Sequence, residues 1–173
     1  MAARTLKEVL TIAGSDSGGG AGIQADLKSM SANGVFAMSV ITAVTAQNTE
    51  DVTDVFELPT SIIASQLDAV FDDFEVSAVK TGMLSSTAIV ELVAKMLAIQ
   101  KVTNLVVDPV MVSKSGRALL KPDAIDALKK LLFPLALVVT PNIHEAQQLS
   151  GIAISNLADA RRAAKIIHGF GSQ

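Results

Sequence analysis

The 173-residue sequence predicts an α/β fold in which a mostly parallel central sheet has helices on both faces. Apolar runs of strand length alternate with segments of roughly 10 to 15 residues whose apolar positions recur at helical spacing. One run, at 35–46, is apolar and rich in β-branched residues, which is typical of a strand covered on both faces. The sequence contains no internal repeat, low-complexity tract or linker, so we interpret residues 1–173 as a single domain.

The first half of the chain predicts three strands and two helices. The apolar run VLTIA at 9–13 indicates the first strand. Ile23, Leu27 and Met30 follow at i, i+4 and i+7, the spacing of one helix face, and Gly34 is a fitting end for that helix. The next elements are, in order, a strand at 35–46, a shorter strand at 52–58, and a helix that begins at Pro59 and carries Ile63, Leu67, Val70, Phe71 and Phe74.

The second half continues the alternation of strands and helices. A strand is expected at 76–82, and Ser85 or Ser86 would cap the helix that follows it. Proline is favoured in the first turn of a helix, so Pro122 marks the start of the next one. The other predicted elements are strands at 104–109 and 135–142 and short helices near 143–150 and 156–168.

Composition excludes several classes of function. The net charge is −3 and Trp and Tyr are both absent, which argues against a protein that binds nucleic acid. The chain has no cysteine, so it has neither disulfides nor a thiolate metal site, and a cytoplasmic location is expected. The longest apolar stretch, LLFPLALVV, is about half the length of a membrane span and contains a proline. No membrane partner is therefore expected.

Polar residues cluster at the ends of the predicted strands. In sheets of this class, ligands bind at the carboxyl ends of the strands, so these residues are the candidates for chemistry. Five segments qualify: GSDSGGGAG at 14–22, AQNT at 46–49, KTGML at 80–84, DPVMVSKSG at 108–116 and TPNIHE at 140–145.

The glycine-rich segment does not fit a nucleotide-phosphate loop. Gly20, Gly22 and Ala25 satisfy the dinucleotide fingerprint, but six residues separate them from the preceding strand instead of none. No lysine follows in the pattern of a P-loop. Asp16 and Asp26 flank the glycines, and carboxylates repel a pyrophosphate. A small ligand without phosphate at this loop is the better interpretation.

Three residues suit an uncharged heteroaromatic ligand, and each also has a structural explanation. Asp26 lies beside the apolar stripe near a helix start, where it would accept a ligand hydrogen bond or satisfy the helix dipole. Gln47 offers an acceptor beside a donor, which matches an aminopyrimidine edge, although a loop amide needs no ligand. Met83 would cover one face of a ring or fill the core.

A second group of oxygen-bearing residues suits a magnesium ion. Asp108 ends a predicted strand, and Asn142 and Glu145 are three positions apart at a predicted helix start. Such a sparse oxygen set is typical of Mg²⁺ that keeps its waters and substrate phosphates. Capping and ion pairing are the alternative roles for each acid.

Taken together, TIAGSDSGGGAGIQADLKS, SVITAVTAQNT, VKTGML, VVDPVMVSKSG and TPNIHEA strongly resemble the hydroxymethylpyrimidine and phosphomethylpyrimidine kinases of thiamine biosynthesis. These enzymes are members of the ribokinase-like superfamily, whose fold is a three-layer α/β sandwich. The resemblance runs from about residue 8 to the end of the chain. It implies that the glycine-rich loop lines the pyrimidine pocket and does not bind the ATP phosphates.

The resemblance also implies roles for individual residues. Gln47 would read the pyrimidine edge, and the same pocket would be lined by Gly14, Ala21, Asp26, Thr45, Met83 and Val110. Asp108 and Glu145, the latter within the N-x-x-E pattern begun by Asn142, would organise Mg²⁺ and the triphosphate. The implied reaction is phosphorylation by ATP of 4-amino-5-hydroxymethyl-2-methylpyrimidine and then of its monophosphate.

The resemblance covers roughly the first two thirds of such an enzyme. The family's catalytic residue, its second glycine-rich loop and much of its ATP site are expected beyond residue 173, so the catalytic residue is not assigned and this chain alone is expected to be inactive. Two alternatives stay open, namely a pyridoxal kinase of the same superfamily and a non-catalytic chain that binds pyrimidine. The oligomeric state is also open, with a homodimer as one option.

Overall fold

A computed structural model describes residues 6–112 and 119–173 and contains an open α/β sheet with flanking helices. Its strands are β1 (Glu8–Asp16), β2 (Phe36–Gln47), β3 (Val52–Glu57), β4 (Val76–Thr81), β5 (Leu105–Val107) and β6 (Val138–Val139). Its helices are α1 (Gly22–Ala32), α2 (Thr60–Asp73), α3 (Thr87–Ile99), α4 (Pro122–Ala127), α5 (Ile143–Ser150) and α6 (Leu157–His168). The alternation predicted from the sequence is confirmed. No helix in the described ranges is long and apolar enough to cross a membrane.

The six strands form one sheet in the order β3-β2-β1-β4-β5-β6. All neighbouring pairs are parallel except β2 with β3, which are antiparallel because a short turn joins them. The carboxyl ends of β1, β2, β4 and β5 therefore lie along one edge of the sheet. The segments that follow these strands meet there.

The two faces of the sheet are covered differently. Leu10 and Ile12 of β1 are fully buried in one apolar cluster with Ile63 of α2 and Val90 of α3. Thr11, between them in the strand, points to the opposite face and donates a hydrogen bond to Asp26 of α1. The main core thus lies between the sheet and the helices that include α2 and α3, whereas α1 packs on the other face.

Two predictions about local structure are confirmed only in part. The run at 35–46 was expected to be covered on both faces, but in β2 the Val44 side chain pairs in register with Phe56 of the edge strand β3, and these residues are 46% and 67% exposed. Both α1 and α2 contact β2, so the exposed positions of this strand lie near its two ends. Ser86 is the N-cap of α3 as one of the two expected serines, yet its side chain accepts no capping hydrogen bond.

The segment after α4 is irregular because of its proline. The helix continues as a π-helical turn (Leu128–Leu132) and a 3₁₀ turn (Phe133–Leu135) that contains Pro134. Phe133 is fully buried, and its ring lies 6.2 Å from that of Phe170, which follows α6. This contact joins the segment after α4 to the residues that follow α6.

Candidate functional site

A cavity of about 450 Å³ opens where the carboxyl ends of the strands meet. Its volume is in the range of pockets that enclose small organic ligands. Several strand-end segments line it: the glycine-rich loop, the β2–β3 turn, the end of β4 and the start of the loop after β5. Four of the five strand-end segments selected from the sequence therefore meet at this cavity, and the fifth, at 140–145, does not line it.

The cavity brings together most of the residues predicted from the sequence. The pocket residues that line it are Gly14, Ala21, Asp26, Thr45, Gln47, Met83 and Val110, and Asp108 lines it as well. Asn142 and Glu145 are not among its lining residues. Of the three residues predicted to organise Mg²⁺ and the triphosphate, Asp108 thus lines the cavity and the other two do not.

The amide groups of the glycine-rich loop are occupied by a carboxylate of the same loop. Oδ1 of the buried Asp16 accepts the N–H of Gly18 at 2.7 Å, and its Oδ2 accepts those of Gly20 and Ala21 at 2.9 and 2.8 Å. Convergent backbone N–H groups of this kind form the nests that bind phosphate in other proteins. Here the nest already holds a carboxylate of its own loop, so these N–H groups are occupied and not open to a nucleotide phosphate.

The loop approaches its neighbours so closely that a side chain is excluded at Gly22 and would displace Met83 at Gly14. Gly22 has φ of 54°, and a Cβ on it would collide with the carbonyl oxygen of Gly14. A Cβ on Gly14 would lie 2.6 Å from Cε of Met83. The glycines thereby let the loop pack against the end of β4 and bring Met83 to the cavity wall.

Gln47 presents its amide to the cavity in a fixed orientation. Its Oε1 accepts the hydroxyl of Thr45 at 3.1 Å, and the same hydroxyl lies 3.0 Å from the carbonyl oxygen of Ser15. Its side-chain NH₂ has no hydrogen-bond partner within the described ranges. An amide held in this way offers a free donor and a partly used acceptor to a ligand edge.

Asp26 and Asp108 lie on either side of Lys80, a residue that the sequence analysis did not select. The Lys80 Nζ is 3.1 and 3.0 Å from Oδ1 and Oδ2 of Asp26 and 3.5 Å from Oδ2 of Asp108. The sequence could have indicated Lys80 by its place in KTGML, because there a charged residue stands near the end of a strand of otherwise apolar or small residues. Its partners could be identified only from the order of the strands.

The Asp108 carboxyl faces the cavity, and the positive charge of Lys80 compensates only in part for its burial. Burial raises its pKa above the usual 3.8, Lys80 opposes this shift, and the negative charge of Asp26 adds to it. A carboxylate in this state lacks part of the positive charge that would stabilise it. It is therefore suited to bind a cation that arrives with a ligand.

Asn142 and Glu145 form a capping box at the start of α5. The Asn142 side chain accepts the N–H of Glu145 at 3.0 Å, and Oε2 of Glu145 accepts the N–H of Asn142 at 2.9 Å. The other Glu145 oxygen accepts the N–H of Met111 at 3.4 Å, which ties α5 to the loop after β5. Burial raises the pKa of Glu145, and Asp108 adds a smaller contribution in the same direction.

The oxygen atoms present fit a magnesium ion held mainly by its waters and by ligand phosphates. Among the described residues, no group of three or more His, Cys, Asp or Glu side chains could hold a metal ion. Within the described ranges, the side-chain oxygens of Asp108 accept no backbone N–H, whereas both Glu145 oxygens do. One carboxylate with waters and phosphates is a common arrangement for Mg²⁺.

The chain is thus an α/β protein with an open, mostly parallel sheet. Its small-molecule cavity lies at the carboxyl ends of the strands, where ligands bind in sheets of this class. The family model described as phosphomethylpyrimidine kinase matches residues 16–173. The chain belongs to this family.

Two curated relatives are about half identical to this chain over the aligned residues. It is 52% identical over 168 residues to the hydroxymethylpyrimidine/phosphomethylpyrimidine kinase of Haemophilus influenzae, covering 97% of this chain and 62% of the relative. The enzyme of the same name from Streptomyces coelicolor is 53% identical, with 94% and 60% covered. The chain thus spans about 60% of the length of these relatives.

Solved structures confirm the ribokinase-like α/β fold. The phosphomethylpyrimidine kinase of Clostridium difficile 630 superposes with a TM-score of 0.89 at 52% identity, over 96% of this chain and 72% of that one. A pyridoxal kinase from Staphylococcus aureus in complex with AMP-PCP and pyridoxal gives a TM-score of 0.87 at 38% identity, over 98% and 61%.

Proposed function

We propose that the protein acts in thiamine biosynthesis by phosphorylating 4-amino-5-hydroxymethyl-2-methylpyrimidine and its monophosphate with ATP. The observation that carries this proposal is the cavity in which the Gln47 amide, held by Thr45, faces the same space as Asp26 and Met83. The family match and the names of the curated relatives support the same activity.

The pyrimidine is proposed to lie at the glycine-rich loop. Gln47 would pair with the ring edge, Met83 would cover one face, and Asp26 would accept from a ring substituent, with Gly14, Ala21, Thr45 and Val110 completing the wall. The hydroxymethyl group would then point toward Asp108. Because Asp16 fills the loop's nest of N–H groups, the phosphates of ATP are assigned to the Asp108 side of the cavity.

Asp108 would hold the Mg²⁺ of the nucleotide, while Glu145 and Asn142 would hold the loop and helix behind it in place. When bound there, a magnesium ion neutralises charge on the transferring phosphates. The protein's own contribution is orientation, since the cavity would place the substrate hydroxyl and the nucleotide in line. The catalytic residue, a homodimeric state and a cytoplasmic location stay predictions.

A pyridoxal kinase is the second candidate, because pyridoxal kinases superpose on this chain with 38–42% identity. The test measures ADP release from Mg-ATP with the pyrimidine, its monophosphate and pyridoxal as acceptors, together with calorimetric binding of each acceptor. Preference for the two pyrimidines would support the proposal, and preference for pyridoxal would replace it with the second candidate. Because this chain alone is expected to be inactive, the assay uses the chain joined to the C-terminal portion of a longer relative. Pyrimidine binding without ADP release by that protein would favour the non-catalytic alternative.

A further inference from the structure

Lys80 lies between two carboxylates of the proposed site. Asp26 is proposed to contact the pyrimidine, and Asp108 is proposed to hold the Mg²⁺ of the nucleotide. Its Nζ contacts both oxygens of Asp26 at 3.0–3.1 Å, whereas its contact with Asp108 is longer, at 3.5 Å. The side chains of Lys80, Asp26 and Asp108 are 21%, 17% and 33% exposed, so all three are partly withdrawn from water. The Lys80 ammonium is thus shared by two carboxylates, and the three side chains together carry a net charge of −1.

The position of Nζ is fixed by its surroundings. Oδ2 of Asp26 also accepts the Thr11 hydroxyl at 2.6 Å, so Asp26 is held from two sides and forms the firm end of the bridge. A Cβ on Gly82 would lie 3.1 Å from Nζ, so the absence of a side chain at this position leaves room for the ammonium. Asp108 is the loosely held end, since within the described ranges its side chain pairs with Lys80 alone, at 3.5 Å.

We infer that Lys80 is a positioning residue that serves as the resident counterion of Asp108 and competes for it with the divalent cation. This inference rests on the proposed function, because it gives Lys80 a part in loading the same site. The Lys80 ammonium is anchored on Asp26 and neutralises Asp108 before the nucleotide arrives. When the divalent cation binds, it replaces Lys80 as the partner of Asp108. Lys80 then remains paired with Asp26, where it keeps that carboxylate oriented toward the pyrimidine.

The two roles predict opposite effects of removing the ammonium. Without Lys80, the Asp108 carboxylate loses the one ammonium that pairs with it among the described residues, so the affinity of a divalent cation for it rises. The pyrimidine loses affinity at the same time, because Asp26 is no longer held in place and its charge is no longer balanced. A residue that only stabilised the fold would weaken both ligands together.

The experiment compares Lys80→Met with the unaltered chain by two titrations that need no turnover. Mn²⁺ binding is followed by electron paramagnetic resonance in the absence of nucleotide, and 4-amino-5-hydroxymethyl-2-methylpyrimidine binding is followed by calorimetry. Mn²⁺ is expected to bind about tenfold tighter to Lys80→Met. The pyrimidine is expected to bind about tenfold more weakly. Asp108→Asn in the same background should abolish the gain in Mn²⁺ affinity.

Further variants keep the result interpretable. Lys80→Arg retains the charge and should leave Mn²⁺ affinity near that of the unaltered chain, and Lys80→Gln replaces Lys80→Met if the latter does not fold. Lys121→Met removes a mostly exposed lysine that pairs with Glu57 at 3.4 Å and should change neither titration. Parallel losses of both affinities, or no change in Mn²⁺ affinity, would overturn the inference. Absence of kinase activity would bear on the proposed function and not on this comparison, because neither titration needs turnover.

Discussion

The Asp16 carboxylate lies 2.9 Å from the amide nitrogen of Gly20, so an anion of the chain itself occupies the centre of the glycine-rich loop. The loop therefore resembles a phosphate-binding segment in shape, but its N–H groups bind the Asp16 carboxylate. Its N–H groups are satisfied before any ligand arrives, and what it offers the cavity is close approach of the backbone. This explains why a ligand without phosphate suits this end of the site.

Replacing Asp16 with alanine should destabilise the loop. Three N–H groups, those of Gly18, Gly20 and Ala21, would lose a charged acceptor, at a cost of about 1–3 kcal/mol in the free energy of unfolding. Urea denaturation measures this loss, and pyrimidine affinity should fall as well. Asp72→Ala, at an exposed position late in α2, is the control and should be nearly neutral. Equal stability of the two variants would show that the nest is not held by Asp16.

Gly22 and Gly34 allow the effect of close packing to be separated from that of backbone conformation. Both have positive φ, 54° and 75°, but a Cβ on Gly34 would meet nothing within 4 Å whereas one on Gly22 would collide with the Gly14 carbonyl. Gly34→Ala should cost about 1–2 kcal/mol from the left-handed backbone alone. Gly22→Ala should cost about 2–5 kcal/mol, because overpacking is added. Equal losses in denaturation experiments would contradict the close approach.

Gln47→Leu should weaken binding of 4-amino-5-hydroxymethyl-2-methylpyrimidine. The leucine keeps much of the volume but leaves polar groups on the ring edge unpaired, at a cost of about 1–3 kcal/mol, which is roughly 5- to 150-fold in Kd. Calorimetry measures the change, and Gln100→Leu at the exposed end of α3 serves as the matched control. An unaltered Kd for Gln47→Leu would remove this residue from the proposed contact with the ring.

The sequence was informative about the cavity because strand ends in a parallel sheet share one edge. Once strands were expected at 9–13 and 76–82, the residues after them had to meet, and Gly14 and Met83 do line the same cavity. The roles of Asn142 and Glu145 were harder to predict. An N-x-x-E segment at a helix start suits both a capping box and a phosphate site, and the structure shows the hydrogen bonds of the former.

Long-range pairing explains what the sequence could not predict. Lys80 is 54 positions from Asp26, and their contact exists because β4 lies beside β1, whose Thr11 faces α1. The strand order, and with it this ion pair, is decided by packing of the whole sheet and not by local pattern. The exposed pair of Val44 and Phe56 has the same origin, since nothing in the apolar run at 35–46 shows that its partner is an antiparallel edge strand.

Asp108→Asn should change the pH dependence of stability in a direction that its raised pKa fixes. Because the folded protein holds the Asp108 proton to higher pH than the unfolded chain, the native fold loses stability as pH rises from 3.8 toward the raised pKa. The asparagine variant lacks this loss, so its stability relative to the unaltered chain should rise over that window and then level off. Asp159→Asn is the control of opposite sign, since hydrogen bonds from Ser155 lower the pKa of Asp159 below 3.8, and its relative stability should fall as pH rises toward 3.8. Urea midpoints measured from acid to neutral pH test both, and a flat difference for Asp108→Asn would contradict the partly uncompensated burial of this carboxylate.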